Sequence, residues 1–200
     1  TPIPNEGVVG GDNLVDSIKA ASIIAKVTRD KIMQKYSVIF PYYDFENNSG
    51  YGTKKHLKGL TKYKSSPVHR NTFKPVSLNL ASVSFYRKNK LENNLAIQLI
   101  ALELIKKGYN ILKINQNTYF RLRIHIIARR SGIVYFFNIR IRNFQKNILF
   151  KDELKSRLIS NFKNESKKYK YDNQKIYKYR FKSCLISLFT KETDIKFFDL

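Results

Sequence analysis

SIKAASIIAKVTRD, residues 17–30, reads as one helix and organises the amino-terminal part of the chain. Ile18, Ala21, Ala25, Ile32 and Tyr36, with Ile24 and Met33 alongside, repeat at the three-and-four spacing of a buried face. Asp16 or Ser17 is placed to cap the start, because either side chain accepts from the first free backbone N–H groups. Ala20, Ala21, Ser22 and Ala25 are small enough to let another element approach the axis closely, so tight packing is expected. At the far end Lys26, Arg29 and Asp30 share a polar face. Taken alone, Lys26 and Asp30 are an exposed i,i+4 ion pair worth a few tenths of a kcal/mol.

This stretch resembles a segment near the end of the catalytic domain of bacterial ribonuclease HII, S-I-A-A-A-S-I-L-A-K-V-T-R-D. The likeness continues on both sides. Pro2, Ile3, Pro4 and Gly11-Asp12 resemble the family's approach to this helix, and Pro41, Tyr42 and Phe45 lead into Gly50-Tyr51-Gly52-Thr53 and His56-Leu57, similar to G-Y-G-T-x-x-H-L. Tyr63, Ser66-Pro67-Val68-His69-Arg70, Phe73 and Pro75-Val76 resemble the family's Y-G-P-S-P-I-H-R-R-S-F-x-P-V ending. Four motifs in one order are more specific than any short pattern.

The resemblance implies the carboxy-terminal, helical part of an RNase H-like fold over residues 1–76. It also implies an enzyme class that cuts RNA in RNA–DNA hybrids and nicks DNA duplexes at embedded ribonucleotides, with four carboxylates holding two Mg²⁺ or Mn²⁺ ions. Asp30 matches the fourth carboxylate and is the candidate catalytic and metal-binding acid. The family's D-E-A-G-R-G and D-G motifs, which carry the other three, have no counterpart here. Asp12 matches a family position outside the metal set, and Asp16 matches no family acid. The chain is therefore expected to be a fragment, with an absent amino-terminal part as its partner and little or no hydrolysis alone. On the substrate side the family's stacking Tyr corresponds to Tyr51, flanked by Gly50 and Gly52, where glycine lets the backbone approach a strand; without the surrounding match, Gly-Tyr-Gly is equally an ordinary turn. Lys26, Arg29, His69 and Arg70 are candidates for phosphate contact or for orienting the acids. Leu14, Asp44, Asn48-Ser49 and Lys64 depart from the family pattern. Asp44 and Lys64 replace glycines at positions expected to need positive φ, at about 1 kcal/mol each.

Composition bounds the rest. The chain has 200 residues, 42% of them hydrophobic, enough for one or two domains with a core. No apolar run approaches a membrane span, and no signal peptide is legible at Thr1. The single cysteine, Cys184, excludes an internal disulfide, reads as a small buried hydrophobe and fits a reducing bacterial cytoplasm. Net charge is +23; residues 1–80 hold 12 bases and 6 acids, and residues 81–200 hold 26 and 9. Such a surface attracts phosphate backbones, although AT-rich coding produces the same enrichment in Lys, Asn, Ile, Tyr and Phe.

Residues 77–88 read as a linker. Beyond it a helix is expected over 90–107, with Leu91, Leu95, Leu99, Leu102 and Ile105 on one face and Gly108 as its stop. Strands follow at 109–114, 121–129 and 133–142, with Ser131-Gly132 turning between the last two, then a Lys-rich helix at 152–164 and a strand at 179–189. This order resembles the YraN-like family of restriction-endonuclease-like αβββαβ fold over residues 89–200, so the whole is expected to be α/β of the α+β kind. The points of likeness are Leu91-Glu92 against G-E, Lys107–Leu112 against K-G-Y-x-I-L with Asn115 nearby, Arg123–Arg129 against E-I-D-L-I-A-R, and Phe137–Arg140 against V-E-V-K. Where that family holds its metal and its lysine, this chain has His125, Asn138 and Arg140; these suit neither Mg²⁺ nor a base, so nuclease activity from this half is not expected. Arg121, Arg123 and His125 beside Asn138, Arg140 and Arg142 form either a phosphate-gripping face or an ordinary exposed sheet face. Tyr135, Phe136 and Phe137 read as core; Tyr169, Tyr171, Tyr177 and Tyr179, interleaved with Lys, are the better stacking candidates. A non-catalytic, basic nucleic-acid-binding protein is the competing class.

Overall fold

The structure is a computed structural model that describes residues 4, 6–115, 123–141, 152–168, 178–188 and 193–200. Helices fill the amino-terminal part and a five-stranded sheet the carboxy-terminal part, an α+β arrangement.

A short helix α1 (Gly11–Leu14) leads into α2 (Asp16–Ile39), which is ten residues longer than the motif that announced it. Its cap differs from expectation: Val15 holds the N-cap position with no side-chain cap hydrogen bond, and Asp16 lies in the first turn, where a carboxylate favours the helix dipole. The predicted buried face is also corrected. Every residue from Lys19 to Arg29 is exposed, Ile32 is exposed, and only Ile18, Met33 and Tyr36 of the seven named residues are half-buried. Burial begins where α2 reaches the rest of the protein, at Ile39 and Phe40, both fully buried. The spacing was that of a face with a partner, and among the described residues nothing covers it.

After a single 3₁₀ turn at Pro41–Tyr43 come α3 (Phe45–Asn48) and α4 (Lys54–Tyr63). The Thr53 hydroxyl caps α4 by accepting from the His56 N–H at 3.3 Å. Gly59 lets α4 close on the 3₁₀ turn: a Cβ there would run into the Tyr42 carbonyl. The positions expected to need positive φ do so, with Asp44 at 57° and Lys64 at 65°. Helices α5 (Lys74–Ser77) and α6 (Val83–Lys88) follow, so the segment read as a linker carries a helix of its own.

Helix α7 (Glu92–Lys106) ends as expected at Gly108, φ 80°. Gly108 N–H donates to the Ile105 carbonyl and Tyr109 N–H to that of Leu104, closing the last turn. Strands β1 (Asn110–Ile114), β2 (Ile126–Arg130) and β3 (Ile133–Ile141) are antiparallel neighbours, and Ser131 and Gly132, both at positive φ, make the two-residue turn. Helix α8 (Asp152–Lys168) crosses over to β4 (Lys178–Ile186), which runs parallel to β3, and β5 (Ile195–Asp199), absent from the sequence reading, adds an antiparallel edge. Arg121, Arg142, Tyr169, Tyr171 and Tyr177, with Pro2 and Ile3, lie outside the described residues.

The sheet is covered on both faces. Tyr135, Phe137 and Ile139 of β3 meet Leu95, Ile97, Ile100 and Leu104 of α7, in one apolar cluster that also holds Ile39, Phe40, Tyr43, Phe45, Leu60 and Val76. On the other face Val134 and Phe136 meet Leu158 and Phe162 of α8, with Phe162 stacked on Phe181 at 5.1 Å. The three consecutive aromatics of β3 are thus all core. Cys184 is fully buried, and its surroundings push the thiol pKa upward.

Candidate functional site

Arg29, Met33, Gly50, Tyr51, Gly52, His56, His69 and Arg70 line one open pocket of about 510 Å³ whose floor is Phe45, Leu60, Val68 and Val76. Residues from Arg29 to Arg70 meet there, and three local devices aim those up to His56. The middle turns of α2 present Arg29 and Asp30. A tight turn then presents Tyr51: Ser49 at φ 47° and Gly50 at φ 81° reverse the chain, and Asn48 clamps the reversal by accepting from Gly50 N–H at 2.8 Å while its amide donates to the Tyr43 carbonyl at 2.8 Å. Thr53 then starts α4, which delivers His56.

The helix and the turn hold each other. Arg29 Nε donates to the Ser49 carbonyl at 3.0 Å, and its guanidinium lies 4.3 Å from the centre of the Tyr51 ring, a cation–π contact. A Cβ on Gly50 would meet Met33 Cε at 3.1 Å and Arg29 Nη2 at 3.5 Å, so both φ and space favour glycine. Tyr51 is 61% exposed, with one ring face on Arg29.

Asp30 stands one residue beyond Arg29, in the middle of α2. A hydrogen bond from the Ser49 side chain, then the charges of Lys26 and Arg29, hold its carboxyl below the usual carboxylate range. Lys26 Nζ is 3.6 Å from Asp30 Oδ2, the ion pair expected from their spacing. Among the described residues no group of three or more His, Cys, Asp or Glu side chains is arranged to hold a metal ion. A single carboxylate already engaged by a hydroxyl and an ammonium does not make a two-cation site, so the residues described do not by themselves fit the pair of divalent ions that the resemblance implied.

Behind Tyr51 lies a feature that sequence reasoning passed over. His56 Nε2 and His69 Nε2 are 3.1 Å apart; His56 Nδ1 is 2.9 Å from the Tyr51 carbonyl; His69 Nδ1 is 3.1 Å from Ser66 N and 2.7 Å from Ser66 Oγ. His56 was legible only as a letter in a motif, because nothing in its spacing announces a partner thirteen residues away. Burial, then the neighbouring His56, lowers the His69 pKa to about 4. Arg70, like His69, lines the pocket.

Of the positions read in the second half as degenerate nuclease residues, Arg140 is half-buried and the other two are buried. His125 is 5% exposed and Asn138 fully buried. The Ile139 N–H donates to His125 Nδ1 at 3.0 Å, and the Asn138 amide donates to the Arg123 carbonyl at 2.8 Å. These side chains tie the start of β2 to β3, so the alternation that suggested an open face describes instead the face covered by α8. Tyr179, on β4, is exposed as a stacking candidate would need.

The arrangement is that of an α+β protein whose helical part presents a cationic and aromatic pocket beside one carboxylate. That part is ribonuclease HII-like: residues 6–76 match the family model described as Ribonuclease HII. Over 75 residues the chain is 56% identical to the Ribonuclease HII of Enterococcus faecalis, covering 38% of this chain and 29% of that protein. It is also 56% identical over 71 residues to the Ribonuclease HII of Clostridium beijerinckii, covering 36% and 26%. The chain thus spans less than a third of the length of these curated relatives.

Proposed function

We propose that residues 6–76 serve ribonuclease HII-type cleavage of RNA in hybrids and at ribonucleotides embedded in duplex DNA, as the substrate-gripping portion of a site whose other acids come from a second segment. The observation that carries this reading is the convergence of Arg29, Asp30 and Tyr51 beside the middle of α2, within the stretch that is 56% identical to ribonuclease HII. Tyr51 offers a flat face for a sugar or base, and Arg29 and Arg70 offer charge to phosphates. Asp30 is one carboxylate of a divalent-cation site, Mg²⁺ or Mn²⁺, that is incomplete without the second segment.

The partner segment has a place to sit. Ala20, Ile23, Ile24 and Val27 form an exposed stripe on α2 at helical spacing, with Ile23 57% and Ile24 67% exposed. Burying an isoleucine is worth about 1.5–3 kcal/mol, so docking a sheet or helix there is favourable and brings its carboxylates towards Asp30. Residues 89–200 then read as a YraN-like domain whose nuclease positions, His125, Asn138 and Arg140, have become structural.

The test uses the full chain, an end-labelled DNA duplex with one ribonucleotide, and Mg²⁺ or Mn²⁺. The chain alone leaves the duplex intact. Adding the part of the Enterococcus faecalis protein that has no counterpart here produces a nick beside the ribonucleotide, and Asp30→Asn abolishes it. A fully active Asn variant removes the role assigned to Asp30.

The single engaged carboxylate and the net charge of +23 favour a second reading, a nucleic-acid-binding protein without catalysis. It expects micromolar duplex binding that weakens steeply with salt. Binding unchanged from low to physiological salt rules it out.

A further inference from the structure

The His56–His69 contact fixes where its protons must be. Ser66 N–H can only donate, so His69 Nδ1 accepts and its proton is on Nε2; the Tyr51 carbonyl can only accept, so His56 Nδ1 carries a proton and its Nε2 is bare. One proton therefore sits on the Nε2–Nε2 axis, donated by His69 and accepted by His56. The chain of donors runs in a single direction, from Ser66 through both rings to the carbonyl of Tyr51, which also accepts from Thr53 N–H at 2.9 Å.

We propose that His56 and His69 are positioning residues that form a one-proton latch, which holds the Gly50–Gly52 turn in the form that presents Tyr51. A further proton has no place in it. On His56 Nε2 it would face the Nε2–H of His69, and on His69 Nδ1 it would face the N–H of Ser66; either breaks a link. The surroundings also oppose a cation: Phe45 and Tyr43 pack against both rings, Arg29 and Arg70 line the same pocket, and the Asp44 carboxylate is engaged by Lys55 at 2.7 Å. The lowered His69 pKa agrees with this geometry. Acid is therefore expected to release the Tyr51 turn while leaving the sheet intact. The functional consequence rests on the reading that Tyr51 contacts nucleic acid.

Nitrogen-15 NMR of the 200-residue chain tests the latch directly. At neutral pH the imidazole signals should report Nε2–H on His69 and Nδ1–H on His56. On acidification the His69 ring should titrate well below pH 6, in step with displacement of the Tyr51 and Gly52 amides, while β3 amides stay in place. Ser66→Ala keeps the backbone donor and should raise that midpoint by about 0.5 pH unit, since one hydrogen bond to the neutral ring is lost. The opposite tautomer on either ring, or titration that leaves Tyr51 and Gly52 undisturbed, overturns the proposal. Binding of a ribonucleotide-containing duplex at constant salt separates the two ideas. The native chain should bind about twofold more weakly at pH 4, where half the latch is released, than at pH 7, and Tyr51→Ala should lose that dependence. If the resonances move as described but Tyr51→Ala binds as the native chain does at both pH values, the latch stands and the nucleic-acid role of Tyr51 falls.

Discussion

Lys64 sits at φ 65°, ψ −175°, a region of backbone space that is almost the preserve of glycine. Its side chain gains only a 3.2 Å hydrogen bond to Asn79, so Lys64→Gly is expected to stabilise the protein by about 1 kcal/mol, read as a higher urea midpoint. Asp44 is also at positive φ but recovers part of the cost, because its Oδ1 accepts from Asn47 and Lys55 at 2.7 Å each. Asp44→Gly should therefore gain less than Lys64→Gly. His69 makes stability depend on pH. Its folded pKa, about 4, lies below the ordinary 6.5, so its contribution is complete above pH 6.5 and is lost as the pH falls through 4. Partial exposure screens the effect, leaving roughly 2 kcal/mol to be lost across that window. Urea unfolding of the native chain and of His69→Gln should show the slope in the first and its flattening in the second.

At the scale of elements, α2 is two helices in one. Its second half is fixed by Arg29 on Ser49 and Tyr51 and by Ile39 in the core, whereas residues from Lys19 to Thr28 are exposed. Replacing Ile23 and Ile24 by Lys is expected to leave thermal stability within about 0.5 kcal/mol, as exposed positions do, and to abolish restoration of cleavage by the added ribonuclease HII segment. A large loss of stability from that pair would show a partner already in place within the chain. Helix α4 is the contrasting case. Gly59 backs onto the Tyr42 carbonyl, so Gly59→Ala should cost about 2 kcal/mol or more despite alanine's better helix propensity, because backbone must move. Thermal unfolding measures this.

For the whole molecule, the apolar cluster that joins Phe40, Tyr43 and Phe45 to α7 and β3 makes the helical part and the sheet share a core. Phe40 is fully buried, with its ring 6.3 Å from Tyr36 and 6.4 Å from Phe45. Phe40→Ala is expected to cost about 3–5 kcal/mol. If the two parts unfold as one, amide exchange will accelerate in β3 as well as in α4. Acceleration confined to α4 would make them independent domains.

What the sequence determined by itself is what periodicity, turn chemistry and resemblance carry. Helix α7 and its Gly108 stop, the Ser131-Gly132 turn, the α7, β1 to β3, α8, β4 order, the buried aromatics of β3 and the ribonuclease HII likeness were all legible, because each is written in residues close along the chain. The strain at Asp44 and Lys64 was legible too, as glycines replaced. Tertiary structure alone decided three things. It left bare the face of α2 that its spacing had marked as buried, since spacing reports a face meant for burial and not whether a partner is present. It buried His125 and Asn138, because α8 covers a face that strand alternation alone leaves open. And it set His56 against His69, thirteen residues apart, by the fold of the turn between them, which no local pattern encodes.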